Sequence, residues 1–317
     1  MTATTLAMLA VFAGSTGAGA NVAKWSTPIL LDPGRSTENQ TGYSVSCPAT
    51  DFCVVVDGNG HVIYRRRGTW SPPQAVQAGG SFDSVSCLSA TFCVAISSGH
   101  AVTYDGRSWS KAVKAGPDAT YKVSCPNISF CAAVGASGLP GKPSTIATFN
   151  GHAWSSQQTS TTGSLYDRLM DVSCATSTFC VAVNLDGQIL TYKGARWIPS
   201  RTAGPKGLIS VSCVTRAFCM AVTDSGHSIM YHGRGWSSPA AIPGFASGFA
   251  YSVSCASTTA CTTIGLSGRA IHWTAGRWAK PETVFSGGPV AGVAVACSPA
   301  DVCVAVDDKG LSAVRQT

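Results

Sequence analysis

Val172-Ser173-Cys174-Ala175-Thr176-Ser177-Thr178-Phe179-Cys180-Val181-Ala182-Val183 decides how the chain folds. Two cysteines enclose five residues, three of them polar, and apolar residues alternate on both flanks, the pattern of two strands joined by a tight turn. Close variants of V-S-C-x4-F-C-V-A-V recur along the chain. Their first cysteines are Cys47, Cys87, Cys125, Cys174, Cys213, Cys255 and Cys297, and each has a partner six residues on. Those seven pairs use all 14 cysteines. Successive pairs lie 38 to 49 residues apart, the period of a four-stranded propeller blade.

Working outward from the cysteines, each repeat reads as four strands. Strand a carries the first cysteine and strand b the second. A glycine turn leads to strand c, which ends on an aromatic residue: Tyr64, Tyr104, Phe149, Tyr192, Tyr231 or Trp273. A second glycine turn leads to strand d, opened by Trp70, Trp109, Trp154, Trp197, Trp236 or Trp278. The seventh repeat reaches Thr317 without such a tryptophan, while Ala23-Lys24-Trp25-Ser26 near the start of the chain matches the missing strand. The expected fold is therefore an all-β, seven-bladed propeller of four-stranded antiparallel blades. Residues 23–31 complete the last blade and close the ring, which removes its open edges.

The identical spacing predicts seven local disulfides: Cys47–Cys53, Cys87–Cys93, Cys125–Cys131, Cys174–Cys180, Cys213–Cys219, Cys255–Cys261 and Cys297–Cys303. No CxxC or paired His–Cys cluster offers zinc a ligand set, so no metal and no cofactor is expected. Such cysteine usage points to an oxidising, extracellular setting. The apolar run Leu6 to Ala13 and the small residues Ala18-Gly19-Ala20 read as a signal peptide over residues 1–20, leaving 21–317 as one domain. That run is too short for stable membrane insertion. The recurring tryptophans are expected to pack between adjacent blades. The serine before each first cysteine, such as Ser46 or Ser212, is expected to hydrogen-bond within its blade.

Composition agrees with a β-rich globular chain: 45% hydrophobic residues, 34 glycines and only 12% charged residues. The net charge of +7 is spread thinly, and its one basic run, Arg65-Arg66-Arg67, reads as a solvated turn rather than a nucleic-acid site. The charge favours weak contact with acidic cell-wall polymers or membrane surfaces.

Binding residues are sought where a rigid scaffold carries variable loops. In a propeller the d–a and b–c loops share one face, and loop length here varies mainly in the d–a connections. One b–c loop is extended, Gly135 to Ser144 in blade 3. The residue four before each first cysteine is expected to ring the channel mouth on that face. These are Tyr43, Asp83, Tyr121, Met170, Ile209, Tyr251 and Val293, with Lys122 and Asp171 beside them. Three tyrosines and an aspartate suit stacking and hydrogen bonding to a sugar or a peptide. The b–c turns add His61, His100, His227 and Arg269; the histidines share one repeat slot, so they are spread around the ring and do not converge on a metal.

Repeats of the form SVSCPxxxFCVAVxxxGxxxxYxGxxWS, covering residues 23–317, resemble those of secreted actinobacterial β-propellers. Some similar propellers are lectin-like subunits of umbrella toxin particles. That resemblance implies glycan binding or docking to a secreted partner protein, and it assigns no individual residue. Enzymatic readings find little support. Glu38 and Glu282 are the only glutamates, no nucleophile elbow surrounds the serines, and the sialidase box S-x-D-x-G-x-T-W is not matched at Asp105 to Trp109. The sequence thus predicts a non-enzymatic, lectin-like module for cell-surface carbohydrate. An adaptor gripping a partner peptide in the central channel is the alternative.

Overall fold

The computed structural model describes residues 23–33, 43–76, 80–117, 120–136, 144–158, 168–200, 204–245, 250–288, 290 and 293–316. The signal-peptide reading and most of the extended blade-3 loop lie outside these residues. The chain forms seven antiparallel sheets, each running a-b-c-d from the inside outward. Blade 4 shows the pattern plainly, with strands Leu169–Thr176, Phe179–Asn184, Ile189–Tyr192 and Trp197–Pro199. Strand a of every blade packs against strand a of the next, right around the ring.

Blade 7 is built from both ends of the chain. Val293–Cys297, Cys303–Asp307 and Leu311–Gln316 supply strands a to c. Lys24–Trp25 then pairs with Leu311–Gln316, in register Lys24 with Gln316 and Trp25 with Arg315, and Ile29–Leu30 continues the same edge. The closure expected from the displaced tryptophan is thus observed.

All seven disulfides join residues six apart. There is no single core. Strands b and c are apolar on both faces, and each inter-blade seam carries its own buried cluster, seven in all. Each strand-d tryptophan covers the seam with the preceding blade: Trp109 packs on the cluster between blades 1 and 2, and Trp25 on that between 6 and 7.

Two expectations need correction. The serine before each first cysteine bonds across the seam, not within the blade. Ser46 Oγ accepts from Cys87 N–H at 2.9 Å, and the same bond recurs at Ser86, Ser124, Ser173, Ser212 and Ser254, always to the first cysteine of the next blade. Strand a has no fifth strand inside it, so its inward N–H groups need another acceptor. A second tier uses the residue three before the cysteine, where Ser44, Ser84, Ser210 and Ser252 accept from the next blade. At the seam from blade 7 to blade 1 these two positions are Ala294 and Ala296. Neither bond can form there, and the apolar cluster of Val45, Val55, Ile63 and Val304 carries the contact.

The second correction concerns strand c. Its terminal aromatic faces the strand-d tryptophan, as Tyr192 faces Trp197 and Trp273 faces Trp278. In blade 1 the residue opposite Trp70 is Arg65, not Tyr64, and in blade 7 it is Arg315. Both arginines are buried, at 3% and 7% exposure. The basic run is therefore not a solvated turn. Strand alternation sends Arg65 into the seam with blade 7 and Arg66 toward blade 2, and only Arg67 turns the chain, at φ 50°.

Candidate functional site at the channel mouth

The seven residues expected to ring the channel line one cavity of about 570 Å³ together with their strand-a neighbours. Gly58 from a b–c turn and Ser81 from a d–a connection also line it, which sets it on the expected face. In blades 3 to 6 the ring residue is the extra residue of a β-bulge. The register skips between Thr120 and Lys122, Leu169 and Asp171, Leu208 and Ser210, and Ala250 and Ser252. A bulge breaks strict alternation and re-aims a side chain. Tyr121, Met170, Ile209 and Tyr251 thereby turn into the channel, while the residue before each is buried between blades.

The side chains differ in how much they can offer a ligand. Tyr43 is buried, and its hydroxyl lies against Gly310, where a Cβ would come within 2.6 Å of it. Gly310 also has φ 79°, so two constraints require glycine there. Tyr121 donates its hydroxyl to the Leu169 carbonyl at 2.6 Å; burial pushes its phenol up, against the opposing influence of Arg168. Tyr251 is half-buried, and its hydroxyl makes no hydrogen bond among the described residues.

Asp171 does the work that serine does elsewhere. Its Oδ2 accepts from Ser210 Oγ and Val211 N–H, both at 2.9 Å, and its Oδ1 accepts from Val172 N–H. Burial raises its carboxyl above the usual range, and Lys122 pulls the other way. Lys122 replaces the second-tier serine of blade 3, and at that seam the Val172 N–H donates instead to the adjacent Asp171 Oδ1 at 2.9 Å. Asp83 is the open carboxylate of the ring. It accepts from Ser98 N–H at 3.3 Å, and desolvation by the channel walls raises its pKa, with Lys122 again opposing.

His61, His100, His227 and Arg269 do not reach this cavity. They begin strand c in blades 1, 2, 5 and 6 and lie on the outer part of the same face. His100 contacts the Ser98 carbonyl at 3.1 Å, and His227 contacts Ser225 Oγ at 3.4 Å. His61 Nδ1 is 3.2 Å from Asp57 and 3.9 Å from Asp32, a constellation whose ligand atoms all lie within 4.8 Å. Asp57 is committed to its turn, where its Oδ1 accepts from Asn59 and His61 N–H at 2.9 Å. Asp307, Asn184 and Thr223 cap the same turn in other blades.

Sequence reasoning missed the bulges, the Asp171 bridge and the buried Arg65. Counting back five residues from each tryptophan, as Tyr192 precedes Trp197, would have found the arginine.

Neither a family model nor a curated protein matches the chain. Solved propellers do. The WD40 β-propeller domain of Doa1 superposes with a TM-score of 0.72 at 10% identity, covering 92% of this chain and 97% of that one. YCF48 bound to D1 peptide gives 0.65 at 15% identity, with the same coverage. U3-55K gives 0.68 at 10% identity, covering 92% and 98%. At this identity the likeness shows the fold alone: the chain is a β-propeller of seven disulfide-stapled blades.

Proposed function

We propose that the chain is an extracellular, non-enzymatic binding module whose channel mouth grips a polypeptide segment of a partner protein. The observation that carries this reading is the convergence of all seven blades on one open cavity that presents mixed chemistry: the Asp83 carboxylate, the Lys122 ammonium, the half-buried Tyr251 phenol and the apolar Ile209 and Val293. A peptide offers both charged and apolar side chains to such a surface. A sugar would draw on tyrosine hydroxyls, and two of the three here are already engaged by Leu169 or enclosed beside Gly310. This favours the adaptor reading over lectin-like recognition at this mouth. Two further points support it. A structural neighbour is described with a bound peptide, and the resemblance to umbrella-toxin subunits implies docking to a partner. Seven disulfides support an oxidising, extracellular setting.

The test is affinity capture from the native culture medium with wild type, Asp83→Ala and Tyr251→Ala, with a glycan array in parallel. One stoichiometric protein, lost in both variants and kept by Arg107→Ala on the opposite face, supports the reading. Glycan binding lost in the same variants would return the site to a lectin, and capture indifferent to both substitutions would remove the channel mouth as the site.

A further inference from the structure

Aspartate is concentrated at one end of this ring. Among the described residues, eight of eleven aspartates stand in b–c turns, d–a connections or the channel mouth. The c–d turns on the opposite end carry five arginines, while Arg168 and Arg269 lie on the aspartate-rich face. Arg67, Arg107, Arg196, Arg234 and Arg277 occupy these turns in blades 1, 2, 4, 5 and 6, and all are exposed. Close glycine contacts hold those turns on the a–b turns of the same blades, such as Gly106 on Thr91 and Gly194 on Thr178. Of the three aspartates at this end, Asp105 accepts from its own turn at Arg107 and Ser108 N–H, and Asp301 is engaged by Arg315 and His272. The remaining one, Asp51, is exposed at the a–b turn of blade 1.

Blade 1 adds recesses to this surface. Arg66 lies 5.0 Å and 5.1 Å from the ring centroids of Tyr64 and Phe52, and its Nη2 donates to the Tyr104 hydroxyl at 2.9 Å. So fixed, it bounds a groove of about 560 Å³ between blades 1 and 2, with Arg107 and Trp70 on its walls and Thr69, Ser71 and Gln74 adding hydroxyl and amide groups. A second groove, of about 350 Å³, runs along the other side of Trp70, between it and Trp25. Lys24 and the buried Arg65 line this one. Arg65 donates to the Thr50 carbonyl at 3.0 Å and has no ion pair among the described residues. Among the described residues, no carboxylate lines either groove.

We propose that this end of the ring binds an anionic polysaccharide, with acidic sugar residues seated in the two grooves beside Trp70 and the arginines of the other c–d turns following the rest of the chain. Each part matches one property of that ligand. Guanidinium groups bind carboxylate, sulfate or phosphate substituents through paired N–H donors. The half-buried Trp70 indole accepts the apolar face of a sugar ring, and the Thr69 hydroxyl and Gln74 amide hydrogen-bond its hydroxyls. The spaced arginines suit a repeating charge. The site is separate from the channel mouth and does not depend on how that mouth is used.

The experiment titrates the full chain with polygalacturonate, dextran sulfate, neutral dextran, poly-glutamate and duplex DNA of matched length, at near-physiological salt. Polygalacturonate or dextran sulfate should bind, with affinity falling as salt rises, and the preferred one identifies the acidic substituent. Arg107→Ala, an exposed turn residue whose loss leaves packing intact, should weaken binding about tenfold, the value of one charged hydrogen bond. Arg66→Ala with Arg107→Ala should weaken it further. The charge-matched control, Arg269→Ala with Lys309→Ala on the opposite face, should change affinity by less than about twofold, as expected for distant charges screened by salt. Equal loss in the control reduces the effect to net charge and overturns the proposal. Equal binding of poly-glutamate or DNA overturns the choice of saccharide, and equal binding of neutral dextran overturns the role of the arginines.

Discussion

Ala296→Ser should stabilise the ring by repairing the seam where its ends meet. Six seams carry a hydrogen bond of 2.8–3.0 Å from a first-cysteine N–H to a serine of the preceding blade. At the seventh, Ala296 has no oxygen to offer the N–H of Cys47. A typical intramolecular hydrogen bond contributes about 0.5–1.5 kcal/mol net. The six precedents show that the backbone places a hydroxyl correctly, so the gain should approach about 1 kcal/mol, or about 2 °C in Tm for a domain of this size. Ala294→Ser should add less, because the serine bonds of the second tier are longer, at 3.2–3.3 Å. Removing an existing acceptor should cost more than adding one gains, since it strands a buried donor: Ser212→Ala should lose about 1–3 kcal/mol. The assay is thermal and guanidinium unfolding of oxidised protein, with unfolding rates followed alongside. If the ring opens first at this seam, Ala296→Ser slows unfolding as well. An unchanged or lowered Tm for Ala296→Ser, with all disulfides intact, would refute the assignment of these serines as the inter-blade ties.

Three further outcomes are expected. Non-reducing peptide mapping should recover seven i to i+6 links and no free thiol, and loss of one bridge through a paired Cys→Ala change should cost about 2 kcal/mol or less because each closed loop is short. Deleting residues 23–31 removes strand d of blade 7 together with Trp25 and should sharply lower the Tm; an unaltered Tm would show that the ring does not depend on this edge. His272 is held below the usual imidazole range by burial and by Arg315, against Asp301, and it contacts Thr262 Oγ1 at 2.9 Å. The unfolded chain therefore takes up this proton first, and stability falls as pH drops through the ordinary imidazole range of about 6.5. His272→Gln should flatten that decline, and an unchanged slope would discount the group.

The blade count, the bridges and the closing strand were legible because each is a matter of identity and spacing. Seven cysteine pairs against six downstream tryptophans left one strand to find, and Trp25 was the residue that fitted. The channel ring was legible for the same reason, since a fixed offset from a cysteine places a residue at a fixed height on strand a. What the sequence did not disclose is direction. The bulge that turns Tyr121 and Tyr251 inward shows only in the pairing register, because a bulged strand and a regular one share their composition. Whether Ser212 bonds its own blade or the next depends on which neighbour faces its hydroxyl. The same limit hid the saturation of Asp171, whose carboxylate reads as an available binding group until Val211 and Ser210 are seen on it. In blade 1, Tyr64 lies one residue from the aromatic slot, and an aromatic at nearly the right distance concealed the arginine that fills it.

The composite blade also imposes an order in time. Each disulfide closes a loop of seven residues, so every a–b hairpin can form and lock from local contacts as soon as its own segment is available, long before distant blades exist. The seam clusters can follow one by one, because each involves only adjacent blades. Lys24 and Trp25 have no partner strand until Leu311–Gln316 is present, nearly the whole length of the chain later. Trp25 is therefore among the last of the propeller's tryptophans to be buried, and through that interval the segment around it is open to a chaperone, a protease or another copy's last blade. A chain stalled short of residue 311 would hold correctly bridged hairpins and still lack a ring, so intact disulfides alone are no measure of completed folding.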